Sequence, residues 1–165
     1  MSLKRIMSNY ADYNLWVNQQ FVNWLSPKSD ELLYTEMPSS FPTIMKTLDH
    51  IWSTEEYWFS IISESSLSEK KAESELSKEE IFAGLLHSST KLKHLINSLS
   101  EEDLVKEVEI INPWFECELP ISEYLIQVIN HGTYHRGQIV TMGRNIGITD
   151  ATNTDYNFYN VVKQQ

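Results

Sequence analysis

Residues 120–147 read PISEYLIQVINHGTYHRGQIVTMGRNIG, and this stretch predicts one long amphipathic helix. Pro120 is placed to open the helix and Gly147 to close it, since proline fits a first helical turn and glycine is favoured just beyond a last one. The core-facing positions recur every three or four residues, which is the spacing of one helix face. They are Ile121, Tyr124, Leu125, Val128, His135, Ile139, Met142 and Ile146.

Three other stretches carry the same spacing and predict three more long helices. The first spans residues 6–24 and is ended by Pro27. The second spans residues 44–62. The third runs from Ile81 to about Ser98 and follows Ser77-Lys78-Glu79-Glu80, which has the Ser-x-x-Glu form of a capping box.

The rest of the chain predicts connections and one small extended element. Residues 63–77 are rich in Ser, Glu and Lys, which is typical of a solvated loop or a frayed helix end. Between Leu104 and Leu119 the apolar residues are mostly β-branched, which predicts an extended segment or small hairpin before the last long helix. The tail after Thr149 predicts a short helix that packs back. We therefore expect an all-α fold, a four-helix bundle in one domain over residues 1–165.

Composition excludes several classes of function. Lys and Arg total 13 against 23 Asp and Glu, so the net charge is −10, the wrong balance for binding nucleic acid or an anionic membrane. A single cysteine, Cys117, excludes an internal disulfide framework and a Cys-rich zinc site. No apolar run approaches the ~18 residues of a membrane span, and the first residues lack the apolar stretch of a signal peptide. We expect a cytoplasmic protein.

Histidines provide the most informative chemistry. His131 and His135 are four residues apart, so on a helix their side chains lie on one face with Cβ atoms about 5–6 Å apart. Such a pair can bind one divalent ion, but it can also be a surface pair or two core histidines bonded to carbonyls. His50, near the start of the second predicted helix, can supply a third imidazole from a facing helix. Three imidazoles with an open position suit zinc, nickel or iron. His87 and His94 lie opposite the leucine stripe of their helix and are interpreted as surface residues.

Neighbours of these histidines are candidates for a pocket. Thr54 and Tyr57 share the helix face of His50, and Gln138 shares the face of His131 and His135, so all three are predicted to line the pocket. Two charged residues nearby receive no catalytic role. Glu55 could lie near the pocket, bridge to Arg136 or face solvent, and Arg136 is interpreted as structural.

The segment Val128–Ile139, with two histidines followed by Arg-Gly-Gln, resembles the signature of DinB-like proteins (the DNA-damage-inducible DinB/YfiT superfamily). Supporting matches are Leu-x-His-Ile at residues 48–51, Tyr-Asn-x-Trp-x-Asn at residues 13–18 and Asp-Tyr at residues 155–156. The resemblance covers nearly the whole chain. It implies a four-helix bundle, usually a homodimer, with a divalent metal ion held by three histidines, here His50, His131 and His135. Members of the family that this chain resembles include bacillithiol S-transferases, a mycothiol-dependent maleylpyruvate isomerase and metal-dependent hydrolases.

Two functional hypotheses follow. The first is a metal-dependent enzyme that transfers a low-molecular-weight thiol to a small electrophilic substrate, or hydrolyses a small molecule. A metal ion with an open position can lower the pKa of a bound water or thiol, which provides a nucleophile without a nucleophilic side chain. A zincin-type peptidase is excluded because Gly132 stands where His-Glu-x-x-His requires its glutamate. The second hypothesis is a non-catalytic bundle that binds a ligand or a protein, with a structural metal or none.

Overall fold

The structure is a computed structural model, and it describes residues 2–67, 69, 71–113 and 115–164. Four long helices form the body, as the sequence predicts, so the expected all-α bundle is confirmed. Three short helices and one hairpin complete the described part of the chain. In chain order the elements are α1 (Leu3–Leu25), α2 (Asp30–Leu33), α3 (Ile44–Ile62), a 3₁₀ turn (Glu73–Glu75), α4 (Lys78–Ser98), α5 (Glu101–Val105), β1 (Glu107–Ile111), β2 (Glu116–Pro120), α6 (Ile121–Asn145) and α7 (Tyr156–Val162).

Local capping explains where the long helices begin and end. The hydroxyl of Ser77 accepts from the backbone N–H of Glu80, whose carboxylate accepts from the N–H of Ser77, so the predicted capping box is formed. Helix α6 begins directly after Pro120. It ends before Gly147, whose φ of +86° is the left-handed conformation that glycine adopts readily.

The hairpin before α6 is also confirmed. Strands β1 and β2 pair antiparallel, with Ile110 opposite Cys117. The hydroxyl of Tyr124, in the first turn of α6, donates to the carbonyl of Val108 at 2.8 Å and accepts from the N–H of Leu119 at 3.2 Å. These bonds fix the hairpin against the start of α6.

Helix α3 packs against both α4 and α6. Helix α4 packs against α1 and α3, and α6 packs against α3 and, less extensively, α1. Their apolar faces form one buried cluster that includes Phe21, Leu48 and Leu85. Ile6, where the apolar spacing of the first predicted helix begins, is 45% exposed near the start of α1.

The chain end returns to the bundle, as predicted for the tail. Tyr159 of α7 is buried against the rings of Tyr13 and Trp16 on α1. Lys163 forms an ion pair with Asp12 at 3.1 Å. Within the described residues, no helix is both long enough and apolar enough to cross a membrane.

Candidate metal centre

Three imidazoles meet where α3 packs against α6. His50 lies in the second turn of α3, and His131 and His135 lie one turn apart near the middle of α6. The Nε2 atom of His131 is 3.2 Å from Nε2 of His50 and 3.1 Å from Nε2 of His135. One ligand nitrogen from each ring lies within 4.8 Å of the other two, so the structure brings together the three predicted ligands.

This convergence fits a metal ion better than hydrogen bonding alone. A neutral imidazole has one N–H and one lone pair, so a proton on one Nε2 can satisfy only one of the two contacts that His131 makes. A metal ion accepts all three lone pairs at once. Zinc–nitrogen bonds in a tetrahedral site place ligand nitrogens about 3.3 Å apart, close to the two distances observed. The residues present therefore fit a divalent ion held by three histidines.

Burial keeps two of the imidazoles in the form that binds metal. Loss of solvation lowers the pKa of His131 below its usual value, and the neighbouring His135 lowers it further. Burial also lowers the pKa of His135, while its hydrogen bond to Gln138 acts in the opposite direction. Neutral imidazole is the metal-binding form, so both shifts favour metal binding near neutral pH.

Two aromatic rings, those of Phe41 and Tyr134, lie beside the histidines. The Phe41 ring stacks on His50, with centroids 4.2 Å apart and planes 30° apart, and lies 5.6 Å from the ring of His135. The Tyr134 ring is 5.0 Å from His135 on the other side. The Nδ1 atom of His131 is buried and has no partner among the described residues.

The other predicted residues lie at different distances from this centre. Gln138 contacts it directly, since its side chain is 2.8 Å from Nδ1 of His135. Thr54 is half-buried one turn beyond His50 on α3. The Tyr57 hydroxyl accepts from Asn112 after β1, which directs Tyr57 towards the hairpin.

The remaining two histidines lie elsewhere. His87 and His94 are exposed on α4, as the sequence predicts, and neither belongs to the group of three.

Glu55 occupies the bundle interior, not the metal centre. It is 3% exposed, and its carboxylate accepts hydrogen bonds from Asn14, Asn18, Ser88 and Ser89 at 2.6–3.1 Å. Burial raises the pKa of Glu55, and the donors Asn14, Ser89 and Ser88 and the charge of Arg136 oppose that rise. The four donors and the nearby cation stabilise the charged carboxylate against the cost of its burial.

Arg136 is the buried cation that faces this carboxylate. Its Nη1 atom donates to the side-chain oxygens of Asn14 at 3.4 Å and Asn18 at 3.0 Å, so the two amides connect Arg136 to Glu55. Of the three alternatives for Glu55, the structure selects a bridge to Arg136, made through two asparagines. Arg136 has a structural role, as interpreted from the sequence.

Sequence reasoning did not predict the residues that contact the histidines or those that contact the Glu55 carboxylate. Asn14 and Asn18 are polar residues four apart on the apolar side of the first helix, and that pattern is a signal of a buried polar network. Ser40 and Phe41 lie in an irregular Ser- and Pro-containing segment, where periodicity carries no information about side-chain position.

Comparison with known proteins agrees with this geometry. A sequence model of the DinB family matches residues 1–165. The chain is 34% identical over 164 residues to the protein DinB of Bacillus subtilis (strain 168), covering 93% of this chain and 95% of that relative. The fold is similar to the crystal structure of a DinB-like protein from Bacillus cereus ATCC 10987, with a TM-score of 0.67 and 22% identity over 86% of this chain and 91% of that one. At that identity the structural match bears on the fold alone.

Proposed function

This chain belongs to the DinB family, and from that premise we propose that it is a metal-dependent enzyme that transfers a low-molecular-weight thiol, of the bacillithiol type, to a small electrophile. Hydrolysis of a small molecule at the same centre is the variant in which water replaces the thiol. The observation that carries the proposal is the convergence of three Nε2 atoms, from His50, His131 and His135, on one point. Zinc, nickel and iron all accept three imidazoles.

The chemistry of the proposed centre divides between the ion and the chain. When bound, a divalent ion would lower the pKa of a bound water towards 7 or hold a thiol as its thiolate, and so would supply a nucleophile at neutral pH. The three histidines hold the ion, and burial lowers the pKa of His131 and His135, which favours their neutral form. Phe41 contributes an apolar surface beside His50, which suits the carbon part of a small substrate.

Activation of the nucleophile by the ion is favoured because Glu55, a carboxylate of α3 five residues after His50, is engaged elsewhere. Glu55 is buried and accepts four hydrogen bonds in the bundle interior, so it is not available as a general base at the histidines. A mechanism that needs only a metal-activated thiol or water fits this arrangement, and a peptidase mechanism that needs a glutamate base does not.

A homodimer is part of the proposal, and α6 offers a surface for it. Between Glu123 and Arg144 the only Asp, Glu, Lys or Arg is Arg136, which is buried. The outer face of α6 carries Ile126 and Tyr134, which are 41% and 61% exposed. Each copy carries a net charge of −10, so two copies repel each other least through a surface, such as this face of α6, that presents no acidic side chain. Light scattering of the parent and of Tyr134→Lys tests this, because a charge on this face is expected to shift the mass from dimer to monomer.

Metal content tests the site itself. Metal-stripped, untagged protein is reloaded with zinc, nickel or iron and analysed for bound metal after gel filtration. We expect about one equivalent per chain in the parent and none after single substitution of His50, His131 or His135 by Ala. His87→Ala, an exposed histidine on α4, is the matched control and retains the metal. Tight metal binding in His135→Ala, or none in the parent, contradicts the proposal.

Turnover then distinguishes the two reactions from the non-catalytic alternative. The loaded protein is mixed with bacillithiol or cysteine and an electrophile such as monobromobimane, and product is followed by fluorescence. Product that requires both metal and thiol supports transfer, and conversion of an ester substrate without thiol supports hydrolysis. Stoichiometric metal without turnover in either assay favours a binding module with a structural ion.

A further inference from the structure

We infer that Gln138 is a positioning residue of the metal centre, and that it holds His135 in the tautomer that presents an Nε2 lone pair to the ion. The inference deepens the proposed function and rests on it for the identity of the ligand. Gln138 lies one turn after His135 on α6. Its Oε1 atom is 2.8 Å from Nδ1 of His135, and its amide nitrogen donates to the hydroxyl of Ser40 at 2.8 Å.

The orientation of the amide determines the tautomer. Oε1 is only an acceptor, so a hydrogen bond between Oε1 and Nδ1 requires the proton to be on Nδ1. In a neutral imidazole the other nitrogen, Nε2, then carries the lone pair. That nitrogen is the one 3.1 Å from Nε2 of His131. If the amide were reversed, its NH₂ group would donate to Nδ1, and the proton would move to Nε2 and face the other imidazoles.

Ser40 contacts the other end of the amide. Its hydroxyl accepts the N–H of Gln138, so the amide nitrogen faces Ser40 while the amide oxygen faces His135. Ser40 belongs to a short loop, residues 37–42, closed at its base by a hydrogen bond from the N–H of Met37 to the carbonyl of Pro42 at 2.8 Å. The same loop carries Phe41, which stacks on His50. The loop therefore lies against two of the three ligands, since Phe41 packs beside His50 and His135 and Ser40 bonds the Gln138 side chain that contacts His135.

Both ends of the Gln138 amide group are hydrogen-bonded, which distinguishes it from an ordinary surface glutamine. It joins His135 to a loop that lies 98 positions earlier in the sequence. A partner that accepts the second N–H of a ligand histidine orients the ring and strengthens metal binding, and its loss commonly lowers metal affinity about 10- to 100-fold.

Three variants test the inference. Gln138→Ala removes the acceptor, Gln138→Glu keeps an acceptor oxygen at the same reach, and Gln127→Ala is the matched control, an exposed glutamine on the same helix. The first measurement is the tautomer of His135 in the metal-free protein, from the ¹⁵N shifts of its ring nitrogens at a pH where the ring is neutral. The second is zinc affinity, by competition with a chromophoric chelator. Far-UV circular dichroism verifies that each variant is folded.

We expect the Nδ1–H tautomer in the parent, Gln127→Ala and Gln138→Glu, and its loss in Gln138→Ala. Zinc affinity is expected to fall about 10- to 100-fold in Gln138→Ala and to recover in Gln138→Glu. An unchanged tautomer in folded Gln138→Ala overturns the inference, as does a changed tautomer with unchanged zinc affinity. If the parent itself binds no metal, the proposed function fails, and the tautomer measurement still decides whether Gln138 positions His135.

Discussion

Replacing Glu55 by glutamine is expected to destabilise the protein strongly, because it removes the buried negative charge that faces buried Arg136. Asn14 and Asn18 each donate to the Glu55 carboxylate and accept from the Arg136 guanidinium. Glu55 and Arg136 are both 3% exposed, so neither charge is screened by water. The substitution keeps the shape of the side chain and changes its charge.

The loss in the free energy of unfolding depends on the Arg136 charge, which stays buried after the substitution. Ser88 and Ser89 can rotate to accept from the new amide, so most of the hydrogen bonds can be rebuilt. Breaking a buried ion pair by removing one partner costs about 3–5 kcal/mol, and the pair here is bridged by amides, so we expect the lower end, about 3 kcal/mol. Since domains have about 5–15 kcal/mol of total stability, such a loss is large.

Urea unfolding followed by far-UV circular dichroism measures the change. Glu109→Gln, at an exposed glutamate of β1, is the matched control and is expected to change the free energy of unfolding by less than about 0.5 kcal/mol. The double variant Glu55→Gln/Arg136→Met removes both charges and is expected to be more stable than the sum of the single changes by about 1–3 kcal/mol. A loss below about 1 kcal/mol in Glu55→Gln, or strict additivity in the double variant, would refute the electrostatic reasoning.

Three other outcomes are expected from the structure. The folded-state pKa values of His131 and His135 lie below the ordinary value of 6.5, so the unfolded chain binds more protons just below that pH, and stability rises with pH there. The melting temperature of the metal-free protein, and its zinc content when loaded, should therefore fall on acidification below 6.5; a pH-independent melting temperature would contradict this. A Cβ at Gly84 would lie 2.4 Å from the Trp52 ring, so Gly84→Ala is expected to shift tryptophan emission and to cost about 1–3 kcal/mol in urea unfolding. Ser77→Ala removes the hydroxyl that caps α4 and is expected to cost about 1 kcal/mol in the same assay, and an unchanged midpoint would argue against the capping account.

The long helices could be predicted because their apolar spacing, prolines and caps are local signals. Pro27, the capping box at Ser77 and Gly147 each lie within three residues of a helix end in the structure. Helices α2 and α5 have four and five residues, too few to show a helical period, and both went unpredicted. Each begins after a serine cap, Ser29 or Ser100, and has acidic residues in its first turn, and these are the local signals that mark them.

The site was predictable only in part, because spacing fixes a helix face but not what packs against it. The i, i+4 spacing of His131 and His135 places them together without any tertiary information. That His50 joins them depends on the register of α3 against α6, which the sequence does not specify. Phe41 completes the site from a loop whose conformation depends on tertiary contacts. Glu55 sits within the apolar stripe of α3, which signals burial, but its partners come from two other helices.

One short segment of α6 serves both the metal centre and the buried charges. His131 and His135 face α3, whereas Gly132 and Arg136, also four apart, face the polar interior. A Cβ at position 132 would lie 2.8 Å from Nη1 of Arg136, so glycine there makes room for the guanidinium. Arg136 adjoins His135, and Glu55 lies five residues after His50 on α3. The charges that bind α3, α1 and α6 together therefore also hold the two helices that carry the imidazoles. Arg136 and Gly132, which lie within the histidine motif, therefore support the geometry of the three-histidine group.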